Sequence, residues 1–85
     1  MAQSERYQVR EELRFMGARL KKIRQKLKLT QEQTGQLLAG DRNSVARYEL
    51  GITKPPRAYQ ILMFMLDKDP SLLTTIQGLK LTELS

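Results

Sequence analysis

The chain reads as an all-α domain of five helices, and three observations predict it. Apolar residues recur at spacings of three and four through Val9, Leu13, Met16, Leu20, Ile23 and Leu27, the period of a helix with one buried face. Capping signals bracket the segments that follow: Thr30 with Gln33, then Asp41, Gly51, and the Asp69-Pro70 pair. No stretch reads as a good strand.

Each element has its own local reason. Gly17 interrupts the first apolar stripe, so helix is expected over 16–27, with residues 1–15 either its extension or a loose N-terminal arm. The polar face of this helix holds Arg19, Lys21, Lys22, Arg24, Lys26 and Lys28, expected as a solvated surface that reaches phosphates at one edge at most. Thr30 caps a second helix, Gln33 completes the capping box, and the helix passes Leu37 and Leu38 to stop near Gly40. Asp41 caps a third helix over 42–50, which Gly51 ends. "ITKPP" is an extended connector, because a residue before proline avoids the helical region. A fourth helix is expected from about Arg57 to Asp67 with Ile61, Leu62, Met65 and Leu66 as its core face. A fifth opens on Asp69 as cap and Pro70 at the first helical position, and carries Leu72, Leu73 and Ile76 to Gly78. The folded domain is thus expected over 16–78, with a tail at 79–85.

Composition narrows the function classes. The 85 residues carry 40% hydrophobic and 28% charged side chains, the balance of one small globular domain. The net charge of +6 suits a polyanionic partner. Cysteine and histidine are both lacking, so disulfides, Cys/His zinc sites and the usual neutral-pH general base are excluded. Asp67 and Asp69 flank a helix junction, and capping accounts for Asp69. No enzyme activity, no metal and no cofactor are expected. No apolar run reaches membrane-span length, and no secretory signal opens the chain. A cytoplasmic location without membrane association is the expectation.

Residues 31–50 have the spacing of a helix-turn-helix: two helices joined by Ala39 to Asp41. Helices that cross this closely need a small residue, and Gly35 is there. Leu38 covers the crossing from the first helix, while Val45 and Tyr48 turn the second helix inward. Arg42, Asn43 and Arg47 are then left on the outer side. Their chemistry suits base edges: arginine pairs bidentately with guanine O6 and N7, asparagine with adenine N6 and N7. Asn43 and Arg47 stand one turn apart and share a face. Ser44 can reach a base or a phosphate. Gln31, at the start of the preceding helix, and Lys54, in the connector, are expected at phosphates. Taken singly, Arg47 could pair with a carboxylate on its own helix and Asn43 could be a solvated helix-start residue; the pattern as a whole favours base reading.

The segment "LKKIRQKLKLTQEQTGQLLAGDRNSVARYELGITKPP" resembles the lambda-repressor-like, or XRE-type, helix-turn-helix domain. With "LTQ", "NSVARYE", "LDKDPSLL" and Ile76, the similarity extends to the C-terminal DNA-binding domain of MqsA-type antitoxins, over roughly residues 20–76. The resemblance implies a homodimer on a palindromic operator, repression of the chain's own toxin–antitoxin operon, and base reading by Asn43 and Arg47. Two features depart from the wider pattern: Thr34 stands where most such domains bury an aliphatic residue, and Ala39-Gly40 replaces the commoner Gly-aliphatic turn. MqsA-type antitoxins hold their toxin through an N-terminal zinc domain whose cysteines are missing here. Either residues 1–15, with apolar Tyr7, Val9, Leu13 and Phe15, contact a toxin, or the chain acts as a stand-alone regulator. The expected function is a sequence-specific double-stranded-DNA-binding repressor with recognition helix 42–50. The alternative is a toxin-binding interaction module with DNA binding secondary.

Overall fold

A computed structural model describes the backbone of residues 2–79 and the side chains of residues 10–79. Tyr7, Val9 and most of the 79–85 tail, singled out above, fall outside the described side chains. The described residues form helices joined by short connectors. These are α1 (Ala2–Lys26), α2 (Gln31–Thr34), which widens into a π turn (Gly35–Ala39), α3 (Arg42–Leu50), α4 (Arg57–Lys68) and α5 (Leu72–Gly78).

Helix α1 is unbroken through Gly17, so the glycine does not end a helix. It lets two helices touch. A Cβ at Gly17 would run into the backbone carbonyls of Tyr48 and Glu49, so α1 lies directly on the back of α3 there. The C-terminus of α1 closes on Lys28 at φ 60°. The Leu29 N–H donates to the Arg24 carbonyl at 3.1 Å and the Lys28 N–H to Gln25 at 3.0 Å, the paired bonds of a Schellman cap.

The core gathers Leu20 and Ile23 from α1, Val45 and Tyr48 from α3, and Tyr59, Met63 and Leu66 from α4; Met16, Leu27, Leu38, Leu72, Leu73 and Ile76 pack against it. Helix α4 therefore buries Tyr59, Met63 and Leu66, whereas Ile61 and Met65 are 46% and 47% exposed. Of the expected core face, Leu66 is buried and Leu62 half-buried, while Ile61 and Met65 are corrected to Tyr59 and Met63. "YQILMFML" is apolar on nearly every side, so periodicity admits more than one stripe. Tyr59 decides between them, because its ring packs on Tyr48 at a centroid distance of 5.0 Å. Arg19 also lies over the Phe64 ring at 4.6 Å, tying α1 to α4 through a cation–π contact. Helix α5 begins at Leu72, two residues later than Pro70 suggested. Asp69 caps the preceding turn by accepting from the Ser71 N–H at 3.2 Å.

Candidate nucleic-acid interface

Local chemistry fixes the two helices of the 31–50 unit. Thr30 Oγ1 accepts from the Gln33 N–H at 3.0 Å, and Gln33 Oε1 accepts from the Thr30 N–H at 2.9 Å, completing the capping box. Thr34 is fully buried, and its hydroxyl donates to the Thr30 carbonyl at 2.9 Å. A polar residue is thus tolerated at an aliphatic position because its one donor is satisfied within the helix. The chain then widens into the π turn, where the Gly40 N–H bonds the Gly35 carbonyl. A Cβ on Gly35 would strike the Asp41 backbone, so only glycine permits this close return. Asp41 caps α3, accepting from the Ser44 N–H at 2.7 Å. That bond holds its carboxyl below the usual value, with the positive charge of Arg47 helping further. Gly51 ends α3 in the left-handed region at φ 74°.

With Val45, Tyr48 and Glu49 buried, α3 turns Arg42, Asn43 and Arg47 outward, all exposed, with Ser44 half-buried. Arg47 has no ion pair among the described residues, so the alternative of an intrahelical carboxylate partner does not describe it. Lys54 is exposed on the connector. The connector hangs from the end of α3 through the Ile52 N–H, bonded to the Arg47 carbonyl at 3.0 Å. Gln31 is half-buried. An open hollow of about 470 Å³ is lined by Arg24, Thr30, Gln31, Glu32 and Arg42. It brings the start of α2 and the start of α3 to one concavity.

One functional element was missed in the sequence. Arg24, assigned above to a solvated face, is 8% exposed, and Glu49 is also 8% exposed. Arg24 Nε donates to Glu49 Oε2 at 2.6 Å, its Nη2 to Oε1 at 3.1 Å, and its Nη1 to the Leu29 carbonyl at 2.8 Å. Gln31 Nε2 donates to Glu49 Oε1 at 3.0 Å. The network therefore joins the end of α1, the start of α2 and the back of α3. One amide proton of Gln31 is spent inside it, which leaves the side chain one further donor. The signal was present in the sequence: on a helical wheel Glu49 sits beside Val45 and Tyr48, and Arg24 follows buried Ile23.

No helix among the described residues is long and apolar enough to cross a membrane, and no cluster of potential metal ligands occurs among them. No solved structure matches the chain. Antitoxin MqsA of Escherichia coli (strain K12) is 39% identical over 56 residues, which are 66% of this chain and 43% of that protein. The chain thus matches less than half the length of that relative. The family model described as the antitoxin component of the bacterial toxin–antitoxin system, MqsA, matches residues 2–77. Over nearly all of its length, therefore, the chain belongs to the MqsA antitoxin family.

Proposed function

We propose that the protein is a sequence-specific double-stranded-DNA-binding repressor of the antitoxin type, acting on its own operon. The observation that carries this reading is the construction of α3. It is capped at both ends, clamped from behind by Arg24, Glu49 and Gln31, and left with Arg42, Asn43 and Arg47 exposed on one side. A rigid helix with an unpaired arginine and asparagine one turn apart suits the major groove. Asn43 and Arg47 read bases, with Arg42 and Ser44 beside them. Gln31 and Lys54 hold phosphates and set the register.

The protein binds as a homodimer on a palindrome, its two α3 helices about 34 Å apart in successive major grooves. Ile61 and Met65, one turn apart on α4 and each nearly half exposed, support a contact between copies. A toxin is the protein partner that family membership suggests. It occupies a surface other than α3, so both roles can coexist.

The test is capture of fragmented DNA from the source genome by the purified protein at near-physiological salt, followed by sequencing. Enrichment of one palindrome upstream of the protein's own gene is expected. Asn43→Ala or Arg47→Ala should lose about 1–3 kcal/mol at one base pair, while Lys54→Ala should weaken all sequences alike. Uniform, salt-sensitive binding by the unaltered protein would overturn the reading.

A further inference from the structure

We infer that Leu50 is a further specificity-determining residue, packing on the C5-methyl group of a thymine in the major groove. This rests on the reading that α3 enters that groove.

Asn43, Arg47 and Leu50 are spaced i, i+4 and i+7, so they form one stripe opposite buried Val45, Tyr48 and Glu49. Leu50 is 66% exposed and Ile52, just past Gly51, is 67% exposed. A leucine left in water on the outward stripe of a helix does nothing for the core and is available to whatever that stripe meets. The charge of the stripe's surroundings selects the partner. Between residues 42 and 54 the exposed ionisable groups are Arg42, Arg47 and Lys54. The one carboxylate there, Glu49, is buried and bonded by Arg24. Exposed Asp41 caps the start of the helix and Glu32 lies beside Arg42 in the adjoining hollow, so the stripe carries an excess of positive charge rather than cations alone, and that excess complements a polyanion.

The spacing also suits a duplex. Seven residues of helix advance about 10 Å, close to three base-pair steps of about 3.4 Å, so the stripe spans successive pairs. Leucine offers no hydrogen bond. Among base edges in the major groove, only thymine presents an apolar feature, its methyl group. The outward stripe thus carries two residues that read hydrogen-bonding edges and one that reads a methyl.

The test begins with selection of a binding site from a random duplex pool by the unaltered protein. Thymines of the selected site are then replaced one at a time by uracil, which removes the methyl and keeps every hydrogen-bonding group. Removal of one methyl contact at a single half-site should weaken binding about fourfold. Leu50→Ala should be insensitive to that replacement, and Leu50→Met should keep the sensitivity. Leu50 is exposed and alanine favours helix, so the variant should fold, as its circular dichroism will show.

Three results would overturn the assignment. Leu50→Ala could retain the thymine preference, weaken all sequences equally, or lose the dimer by sedimentation. The last result would assign Leu50 to contact between copies. A failure of the underlying reading looks different, because the unaltered protein would then select no sequence at all.

Discussion

Glu49→Ala should destabilise the fold far more than an ordinary surface change. The substitution removes both carboxylate bonds to Arg24, at 2.6 and 3.1 Å, and the bond from Gln31 at 3.0 Å. The guanidinium keeps only the Leu29 carbonyl at 2.8 Å. The Arg24 side chain is 10% exposed and that of Glu49 only 2%, so water cannot replace the lost partner without local opening. Stranding a buried charge in this way costs about 3–5 kcal/mol. The small residual exposure of Arg24 places the loss near the lower end, at about 3 kcal/mol. At roughly 0.05–0.15 kcal/mol per residue, a domain of this length has about 4–13 kcal/mol in total, so the change removes a large share. Urea unfolding followed by helical circular dichroism should show a midpoint lowered by at least about 1 M. The double variant Arg24→Met with Glu49→Leu should regain most of the loss, because it leaves no charge stranded. A single variant within about 1 kcal/mol of the unaltered protein, or a double variant no better than the single, would refute the reasoning.

Other perturbations have equally definite signs. Lys28→Gly should raise stability by about 0.5–1 kcal/mol, since a non-glycine residue pays about 1–2 kcal/mol in the left-handed region and glycine's extra entropy offsets only part of that; thermal melting checks it. Gly17→Ala should lower stability by about 1–3 kcal/mol, because the new Cβ meets rigid backbone at Tyr48 and Glu49, and an unchanged melting temperature would sink the close-crossing account. The Tyr59 hydroxyl is buried without a partner among the described residues, so Tyr59→Phe should leave stability unchanged or raise it by up to about 1 kcal/mol. Burial first, and the negative charge of Glu49 next, raise the Tyr59 pKa above its ordinary 10.0. Its contribution is therefore complete below pH 10 and is lost as pH rises towards the folded value, and Tyr59→Phe should remove that alkaline loss. Asp41 has the opposite sign. Its folded pKa lies below the ordinary 3.8, so its contribution is present above 3.8 and disappears as pH falls through the lower folded value. Asp41→Asn keeps a capping oxygen and should flatten this acid dependence in melts taken down to about pH 2.

The helices were legible where a local rule decides them. Thr30 with Gln33, Asp41 and Gly51 mark ends that depend on neighbours only a few residues away, and the structure places caps at all of them. The core face of α4 was not legible. Ile61, Met63 and Met65 are near equals in hydrophobicity, and the choice falls to the Tyr48–Tyr59 contact across 11 residues of chain. Gly17 was legible only as an interruption, because its purpose lies in a helix distant in sequence. The site divides in the same way. Arg42, Asn43 and Arg47 are placed outward by the phase of α3, which Val45 and Tyr48 set. The phase of α3 put Glu49 beside Val45 and Tyr48, but that Arg24 is its partner was not legible, because the pair forms only when helices α1 and α3 are brought together.

The same network explains why the outward face of α3 need take no part in holding the fold. Glu49 accepts from both Arg24 and Gln31, so the end of α1, the start of α2 and the last turn of α3 are fixed relative to one another from behind. Arg42, Asn43, Arg47 and Leu50 are all exposed, so substitutions there should change stability little, and on the proposed reading of α3 they alter recognition instead. Changes at Glu49 should do both, since losing the clamp also frees Gln31 and lets α3 shift against α2. A loss of one ångström in register matters more to paired hydrogen bonds at base edges than to contacts with a smooth line of phosphates. The mixed behaviour of Glu49 variants, weaker folding together with a disproportionate loss of sequence preference over general affinity, is therefore the signature expected of a recognition helix aimed by a buried ion pair.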